Sequence, residues 1–413
     1  MTRKRSVIVG WFYIAVGLLV NPWFLARVVA ADGRIDSAWT IGAICVLEVL
    51  LVSLGVLTIS LSHRAWVVNL NLLLCTLVIT VPVLGEVAFR TGIALEIHAF
   101  RRPHLYANYF VDDDFWLLEQ RWVGGRRYAS PGRVHELLGW SQAHVTSSNP
   151  LGLDAETLSR MASAAPKILF FGDSYVRGEA DPEFQLPQYL NDRLSGVDVV
   201  DVSVGGYGLD QIYLMFQEIQ KANSLILIGI LADDDLDRTV LTVRTSQKPY
   251  YLVDDNAELR LGGVPIQRDQ ATYFQNSSLR LKSFILAFLN QRLVGSDLKV
   301  SLKQRIGSAL LSQFITDAQD ENSGLAFVIF YSKSGLQTAS WQESFLLTTL
   351  SRSNARVIDT KPHLLKYLAE SGATIPSLYT PGGHHNNAGN RVIGDAILEY
   401  LKQMGAEATG RLW

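Results

Sequence analysis

A serine and a histidine far apart in this 413-residue chain sit in contexts suited to acyl chemistry. Ser174 follows Lys167-Ile168-Leu169-Phe170-Phe171-Gly172-Asp173, an apolar run of strand length, rich in β-forming residues, that stops at a glycine. A hydroxyl at the carboxyl end of a buried strand stands where open α/β sheets place their ligand crevices. An unassisted hydroxyl is a weak nucleophile at neutral pH and needs a base beside it. His384 or His385, within Gly382-Gly383-His384-His385-Asn386-Asn387-Ala388-Gly389-Asn390, supplies one. Attack on an acyl carbon also calls for donors to the oxyanion. The backbone of Ser174 offers one, and so does the glycine turn Asp201-Val202-Ser203-Val204-Gly205-Gly206-Tyr207-Gly208, whose missing side chains let amides approach a ligand. A polar side chain from Ala232-Asp233-Asp234-Asp235-Leu236-Asp237-Arg238 is a third source, and Arg238 is expected to pair with a carboxylate of that cluster and shape the crevice rim.

The elements that must position these residues begin at 166, where strand and helix alternate. Strands are predicted at 167–171, 197–202, 224–231, 325–331 and 356–359, with helices near 183–194, 209–222, 341–352, 361–370 and 388–403. Such alternation predicts a parallel sheet covered on both faces. Residues 239–320 interrupt it as an insertion that caps the crevice. Pro249 to Val253 and Ala257 to Leu261 predict a hairpin around Asp254-Asp255-Asn256, and the apolar spacing from Leu279 to Leu289 predicts a helix over 273–293.

Taken together, four blocks resemble the GDSL, or SGNH, hydrolase family: Gly172-Asp173-Ser174 with Gly178, then Asp201 to Gly206, then Asp233-Asp234, then His384-x-Asn386-x-x-Gly389. They stand in the family's order across about residues 166–404. Leu137-Leu138-Gly139-Trp140, Tyr207 to Gln211 and Lys248-Pro249 are similar to membrane-anchored bacterial members. The resemblance implies a flavodoxin-like, three-layer α/β/α SGNH domain over 166–404, with Ser174 as nucleophile, His384 as general base and the Ser174 and Gly206 amides in the oxyanion hole. It implies neither a cofactor nor a metal. His384 is preferred to His385 because Asn386 and Gly389 follow at the family's spacing, which leaves His385 as a neighbour at the surface.

Two positions depart from the family pattern. The family's third-block Asn, an oxyanion donor, aligns with Asp233, and an ionised carboxylate can only accept. Asp233 is therefore protonated, or has another task, or another donor serves. The family's acid three residues before the histidine aligns with Pro381, so a backbone carbonyl or a more distant acid must orient the imidazole. The implied activity is that of a membrane-anchored serine ester hydrolase, a deacylase or deacetylase working through a Ser-His dyad. Its substrate is an acylated small molecule or an O-acyl group of a cell-envelope glycan outside the cytoplasm. O-acyl transfer to envelope polysaccharide and a non-catalytic binding or assembly role in polysaccharide machinery are the alternatives.

Mean hydropathy is +0.15, high for a soluble chain. The apolar weight lies before residue 90, in runs from Val7 to Ala26, Ala38 to Ser62 and Ala65 to Gly85. Each approaches the ~20 residues a membrane-spanning helix needs. Residues 1–90 are thus expected to hold three transmembrane helices, at about 7–26, 38–62 and 65–85. Arg3, Lys4 and Arg5 before the first run and His63-Arg64 between the second and third place the N-terminus in the cytoplasm. Everything beyond residue 90 is then periplasmic or extracellular, with Arg90, Arg101 and Arg102 pulling mildly the other way.

Residues 91–165 read as an irregular juxtamembrane segment. It is broken at Phe100-Arg101-Arg102-Pro103, Gly124-Gly125-Arg126-Arg127 and Ser130-Pro131-Gly132, with a solvated loop or helix start at Asp112-Asp113-Asp114. Phe115, Trp116, Trp122 and Trp140 are expected to pack on the membrane surface or on the following domain. Glu48, midway along the second run, is expected to meet Asn69 or Asn71 of the third. Cys45 and Cys75 fall inside runs and act as small apolar residues, which leaves the exported part without a disulfide or a cysteine metal site. A net charge of −2 with no basic-aromatic patch argues against nucleic acid as a partner.

Overall fold

Asn21-Pro22 divides the first apolar run. Proline has no N–H for the helix ladder, and Asn21 takes up the junction: its Oδ1 accepts from Phe24 N at 2.8 Å and its Nδ2 donates to Leu18 O at 2.7 Å. In the computed structural model, which describes residues 3–29, 35, 38–123, 129–219, 224–254, 258–293, 299–320 and 323–407, the run becomes α1 (Arg3–Leu19) and α2 (Pro22–Val29). Among the described residues two helices, α3 (Ala38–Ser60) and α4 (Ala65–Ala94), are long and apolar enough to cross a membrane, rather than the three expected. The Gly124-Gly125-Arg126-Arg127 break, the Asp255-Asn256 turn and the last residues of the helix expected to 222 lie outside the described residues.

The chain forms two units, Met1–Gly125 with Asn276–Ser301, and Arg126–Gln275 with Leu302–Trp413. In the first, α1 runs antiparallel to α3, with Gly10 against Ile59 and Gly17 against Val52. A Cβ on Gly55 would lie 2.6 Å from the Gly10 carbonyl oxygen, so the glycines are what let these backbones touch. Asn71 pairs with Thr58, Nδ2 to Oγ1 at 3.4 Å, instead of with Glu48 as expected. The helix Phe284–Leu293 returns from the insertion to pack on α4: Glu86 Oε2 accepts from Ser283 Oγ at 2.8 Å and from Ile285 N at 3.0 Å, and Phe288 stacks near Phe89. Asp113 and Asp114 do open a helix, Asp113–Val123, but they are buried rather than solvated, because Arg280 reaches Asp112 at 3.0 Å and Asp113 at 3.3 Å. The helix expected over 273–293 is two, Gln270–Asn276 and Phe284–Leu293, and the insertion is divided between the units.

The second unit is built on five parallel strands: β1 (Lys167–Phe171), β2 (Asp198–Asp201), β3 (Leu225–Leu231), β4 (Gly324–Phe330) and β5 (Arg356–Asp359). Their order is β2-β1-β3-β4-β5. All seven residues of β3 are buried, which requires cover on both faces. On one face Phe171 and Phe327 meet Phe216 of α5 (Leu209–Glu218) and Phe314 of α6 (Val300–Asp320). On the other, Phe170 stacks on Phe330, which also meets Tyr175 and His385. The unit is therefore the expected three-layer α/β/α arrangement.

The remaining helices start and stop on local chemistry. Ser340 caps α7 (Trp341–Arg352) by accepting from Glu343 N, Asp359 caps α8 (Thr360–Ser371), and Gly372 ends α8 in the left-handed conformation. The closing helix is α9 (Asn387–Glu407). The hairpin of the insertion pairs Tyr250–Val253 with Leu259–Gly262. The chain leaves β1 toward β2 on one side and later returns to β3 on the other. The reversal of strand order, where such sheets bind ligands, thus falls at the carboxyl ends of β1 and β3.

Candidate active site

Ser174 stands just beyond the end of β1, half-buried on a tight turn. Tyr175 N donates to Asp173 Oδ1 at 2.8 Å and Gly178 N to Ser174 O at 2.9 Å, which close the turn. Gly178 has φ +67°, and a Cβ there would lie 2.7 Å from His385 O, so glycine is required twice over. The structure brings Ser174 Oγ to 2.8 Å from His384 Nε2, two residues 210 positions apart.

The carboxylate beside His384 is Glu179. Its Oε1 lies 2.9 Å from His384 Nδ1, and its Oε2 accepts from Thr380 Oγ1. The Thr380 hydrogen bond, with the adjacent imidazole, holds the Glu179 carboxyl below its ordinary range. Gly382 leaves room for it: a Cβ there would fall 2.3 Å from Glu179 Oε1. A search for an acid three residues before the histidine ends at Pro381, which is exposed. Here the acid instead comes from the nucleophile's own loop, directly after Gly178. The two loops are stitched together by Glu179 N donating to His385 O at 3.0 Å and Asn390 Nδ2 to Arg177 O at 2.8 Å. Asp181 N to Asn387 Oδ1 and Tyr175 OH to Gly383 O, at 2.8 and 2.9 Å, add to the seam. A turn-forming glycine followed by a carboxylate after the nucleophile, with a threonine ahead of Pro381, was the signal available.

His385 is not at the surface as expected. It is fully buried among Tyr379, Tyr175 and Phe330, with ring centroids at 4.8, 5.2 and 6.4 Å. Burial first, and neighbouring His384 second, push its imidazole pKa down to about 3, so it is neutral packing behind the relay.

Of the expected oxyanion donors, the glycine turn is beside the serine: a Cβ on Gly205 would be 3.7 Å from Ser174 Cβ, and Gly206 has φ +85°. Asp233 has another task. Its carboxylate accepts from Ser332 N at 3.3 Å, from Ser332 Oγ and from Ser334 Oγ, where the helix Lys333–Gln337 begins. Its oxygens are thus engaged at the start of that helix.

Arg238 does pair as expected, and with more than one partner. Buried beneath the turn, its Nη1 reaches Asp173 Oδ2 at 2.8 Å and Asp235 Oδ1 at 2.9 Å, and its Nη2 meets Asp234. Lys248, itself fully buried, pairs with Asp210 and donates to the Arg238 carbonyl at 3.1 Å. Arg244 Nη2 also stands 4.0 Å from Asp234 Oδ2, and burial, followed by the neighbouring Asp173 carboxylate, pushes the Asp235 carboxyl well above its usual range. Among the described residues, no group of three or more His, Cys, Asp or Glu is placed to hold a metal ion.

No family model matches this chain, and no curated protein sequence matches it. Solved structures do. A member of the lipolytic G-D-S-L family from Veillonella parvula aligns at 13% identity over 57% of this chain and 97% of its own, with a TM-score of 0.34. An acetyl xylan esterase aligns at 13% identity over 57% and 98%, TM-score 0.33, and a psychrotrophic esterase from Pseudoalteromonas sp. at 14% over 58% and 97%, TM-score 0.33. These are distant likenesses of chain path. The sheet order, with Ser174 after β1, Gly205-Gly206 after β2 and His384 ahead of the closing helix, makes the second unit GDSL/SGNH-like in fold.

Proposed function

We propose that the chain is a serine ester hydrolase, with Ser174 as nucleophile, His384 as general base and Glu179 as the acid that orients it. The observation that carries this reading is the continuous contact from Ser174 Oγ through His384 to Glu179, at 2.8 and 2.9 Å. With Glu179 accepting from Nδ1, the neutral imidazole keeps its lone pair on Nε2, facing the serine. Ser174 Oγ attacks the ester carbonyl while its proton passes to Nε2. The acyl–oxygen bond then breaks, the imidazolium returns that proton to the departing alcohol, and an acyl-serine remains. Water activated by the same nitrogen releases the free acid and restores the serine. The Glu179 contact supports extending the dyad read from the sequence to a Ser-His-Glu triad, with Glu179 in the place of the acid missing at Pro381. A sugar hydroxyl in place of water would make the same machinery an O-acyltransferase.

The anchor belongs to the same proposal. Val46, Leu47, Val49 and Leu50 on α3 and Leu72, Leu73, Val78 and Val81 on α4 are exposed, as suits helices that face lipid. With Arg64 in the turn between them on the cytoplasmic side, the chain after α4 emerges on the far side whether or not α1 crosses. That location supports O-acyl groups of envelope glycans as substrates.

The test is turnover of p-nitrophenyl acetate by purified full-length protein. Wild type is expected to release acetate, Ser174→Ala and His384→Ala to lose at least a thousandfold in kcat/KM. Equal rates for wild type and Ser174→Ala would remove the hydrolase reading.

A further inference from the structure

Three consecutive carbonyls of the glycine turn are each held by a side chain from a different segment. Trp140 Nε1 donates to Gly205 O at 3.0 Å, Arg244 Nη1 donates to Gly206 O, and Arg238 Nη1 donates to Tyr207 O at 2.6 Å. Trp140 comes from the two-stranded turn before the sheet, Arg244 from the insertion, and Arg238 from the buried ion cluster. The Trp140 contact bears most directly on chemistry. The peptide joining Gly205 to Gly206 is planar and trans, so its C=O and N–H point in opposite directions. Holding the carbonyl toward the indole turns the Gly206 N–H to the opposite side. Gly205 itself lies beside Ser174, with a Cβ there 3.7 Å from Ser174 Cβ.

Trp140 is itself fixed. It is buried, its ring lies 5.5 Å from that of Tyr207 in an edge-on arrangement, and its own carbonyl accepts from Tyr207 OH. The same segment is tied to the second strand's exit by Gln142 Nε2, which donates to Ser203 O at 2.6 Å and Asp201 O at 3.2 Å. With Asp233 committed to Ser332, the chain has no neutral side-chain donor at that position, and the backbone amides must be set without it.

We infer that Trp140 is a positioning residue for the oxyanion site: its indole N–H fixes the Gly205–Gly206 peptide so that the Gly206 N–H is preorganised toward the developing oxyanion on a substrate at Ser174. This rests on the hydrolase reading and deepens it. A preorganised donor matters more in the transition state than in the bound ground state. Losing its support therefore lowers kcat while leaving KM nearly unchanged.

Trp140→Phe removes the indole N–H and keeps an aromatic ring. On p-nitrophenyl acetate it is expected to lower kcat about 10- to 100-fold, with KM within twofold of wild type. Ser141→Ala is the comparison: it cuts the hydroxyl's bonds to Arg133 O and Ala143 O within the same segment but touches neither the glycine turn nor the second strand, and it is expected to leave kcat within twofold. A Trp140→Phe enzyme with kcat within twofold of wild type would overturn the inference, as would equal losses in both variants, since these would mark the segment as merely structural.

Amide hydrogen exchange over 203–209 gives a readout independent of activity. Exchange is expected to quicken about tenfold in Trp140→Phe and to stay unchanged in Ser141→Ala. Unchanged exchange in Trp140→Phe would overturn the positioning role even if activity fell. If wild type proves inactive while exchange quickens only in Trp140→Phe, the brace stands and the hydrolase reading is what fails.

Discussion

In the first unit the apolar side chains of α3 and α4 face outward; in the second the cations face inward. Leu72 and Val78 are exposed on α4, while Arg238, Lys248 and Lys303 are buried in the sheet domain. The two units thus place their apolar and charged side chains in opposite senses. Helices α3 and α4 are long and apolar enough to cross a membrane, and outward apolar side chains suit a helix that meets lipid. Buried cations are tolerated only where carboxylates meet them, and here each does: Arg238 with Asp173, Asp234 and Asp235, Lys248 with Asp210, Lys303 with Asp237 at 2.6 Å. The Arg238 and Lys248 pairs lie behind the nucleophile turn. The charge is therefore organised around the site rather than spread through the core.

The largest effect expected on this contrast comes from Arg238→Met. It takes the guanidinium from Asp173 and Asp235 in the interior and leaves Asp234 with Arg244 at 4.0 Å, and breaking a buried pair of this kind costs about 3–5 kcal/mol. Urea unfolding of the variant should show a midpoint far below wild type; a midpoint within experimental error of wild type would mean that the cluster is not what holds the turn.

Next is Glu179→Gln, at the solvent edge of the same unit. The amide keeps the shape but no longer enforces the imidazole tautomer, and kcat should fall about 100-fold with little loss of stability. Because the Glu179 side chain is 46% exposed, the loss should be smaller than for a fully buried acid. A variant with wild-type kcat would dissociate Glu179 from the relay.

An effect that is smaller per pH unit is expected from His385. His385 is neutral in the folded protein, with its pKa pushed down to about 3, so unfolding lets it take up a proton at any pH between that value and its ordinary 6.5. The sign follows: its contribution to stability is fully present above pH 6.5 and is lost as pH falls below it, by roughly 1.4 kcal/mol per unit. Burial pushes Asp201, Asp210 and Asp235 the other way, and these titrate in the opposite sense. The measurement is therefore a difference: the stability of wild type minus that of His385→Leu should decline from pH 6.5 to pH 4. A pH-independent difference would show that His385 is not buried neutral.

The sheet and its strand ends were legible in the sequence, because a buried parallel strand must be a continuous apolar run and its exit must carry the turn residues; the choice of His384 over His385 came from the resemblance's Asn386 and Gly389 spacing. What escaped depends on contacts between loops. Glu179 is an ordinary carboxylate in sequence and becomes the histidine's partner only because the nucleophile loop is stitched to the 380–390 loop. His385 reads as polar and therefore exposed, yet three aromatic rings from three segments enclose it. The break at Asn21-Pro22 was written in the chain, but hydropathy averaged along a run passes over a proline that ends a helix. Asp112 to Asp114 look solvated until Arg280, from a distant segment, arrives beside them.

Fluorophosphonate labelling followed by peptide mass spectrometry reads whether Ser174 is a nucleophile activated by His384 and Glu179. Wild-type protein is predicted to carry one phosphonate adduct, on the peptide containing Ser174, while Ser174→Ala carries none and Glu179→Gln labels more slowly. Absence of an adduct in wild type, or equal labelling of Ser174→Ala, would contradict that role.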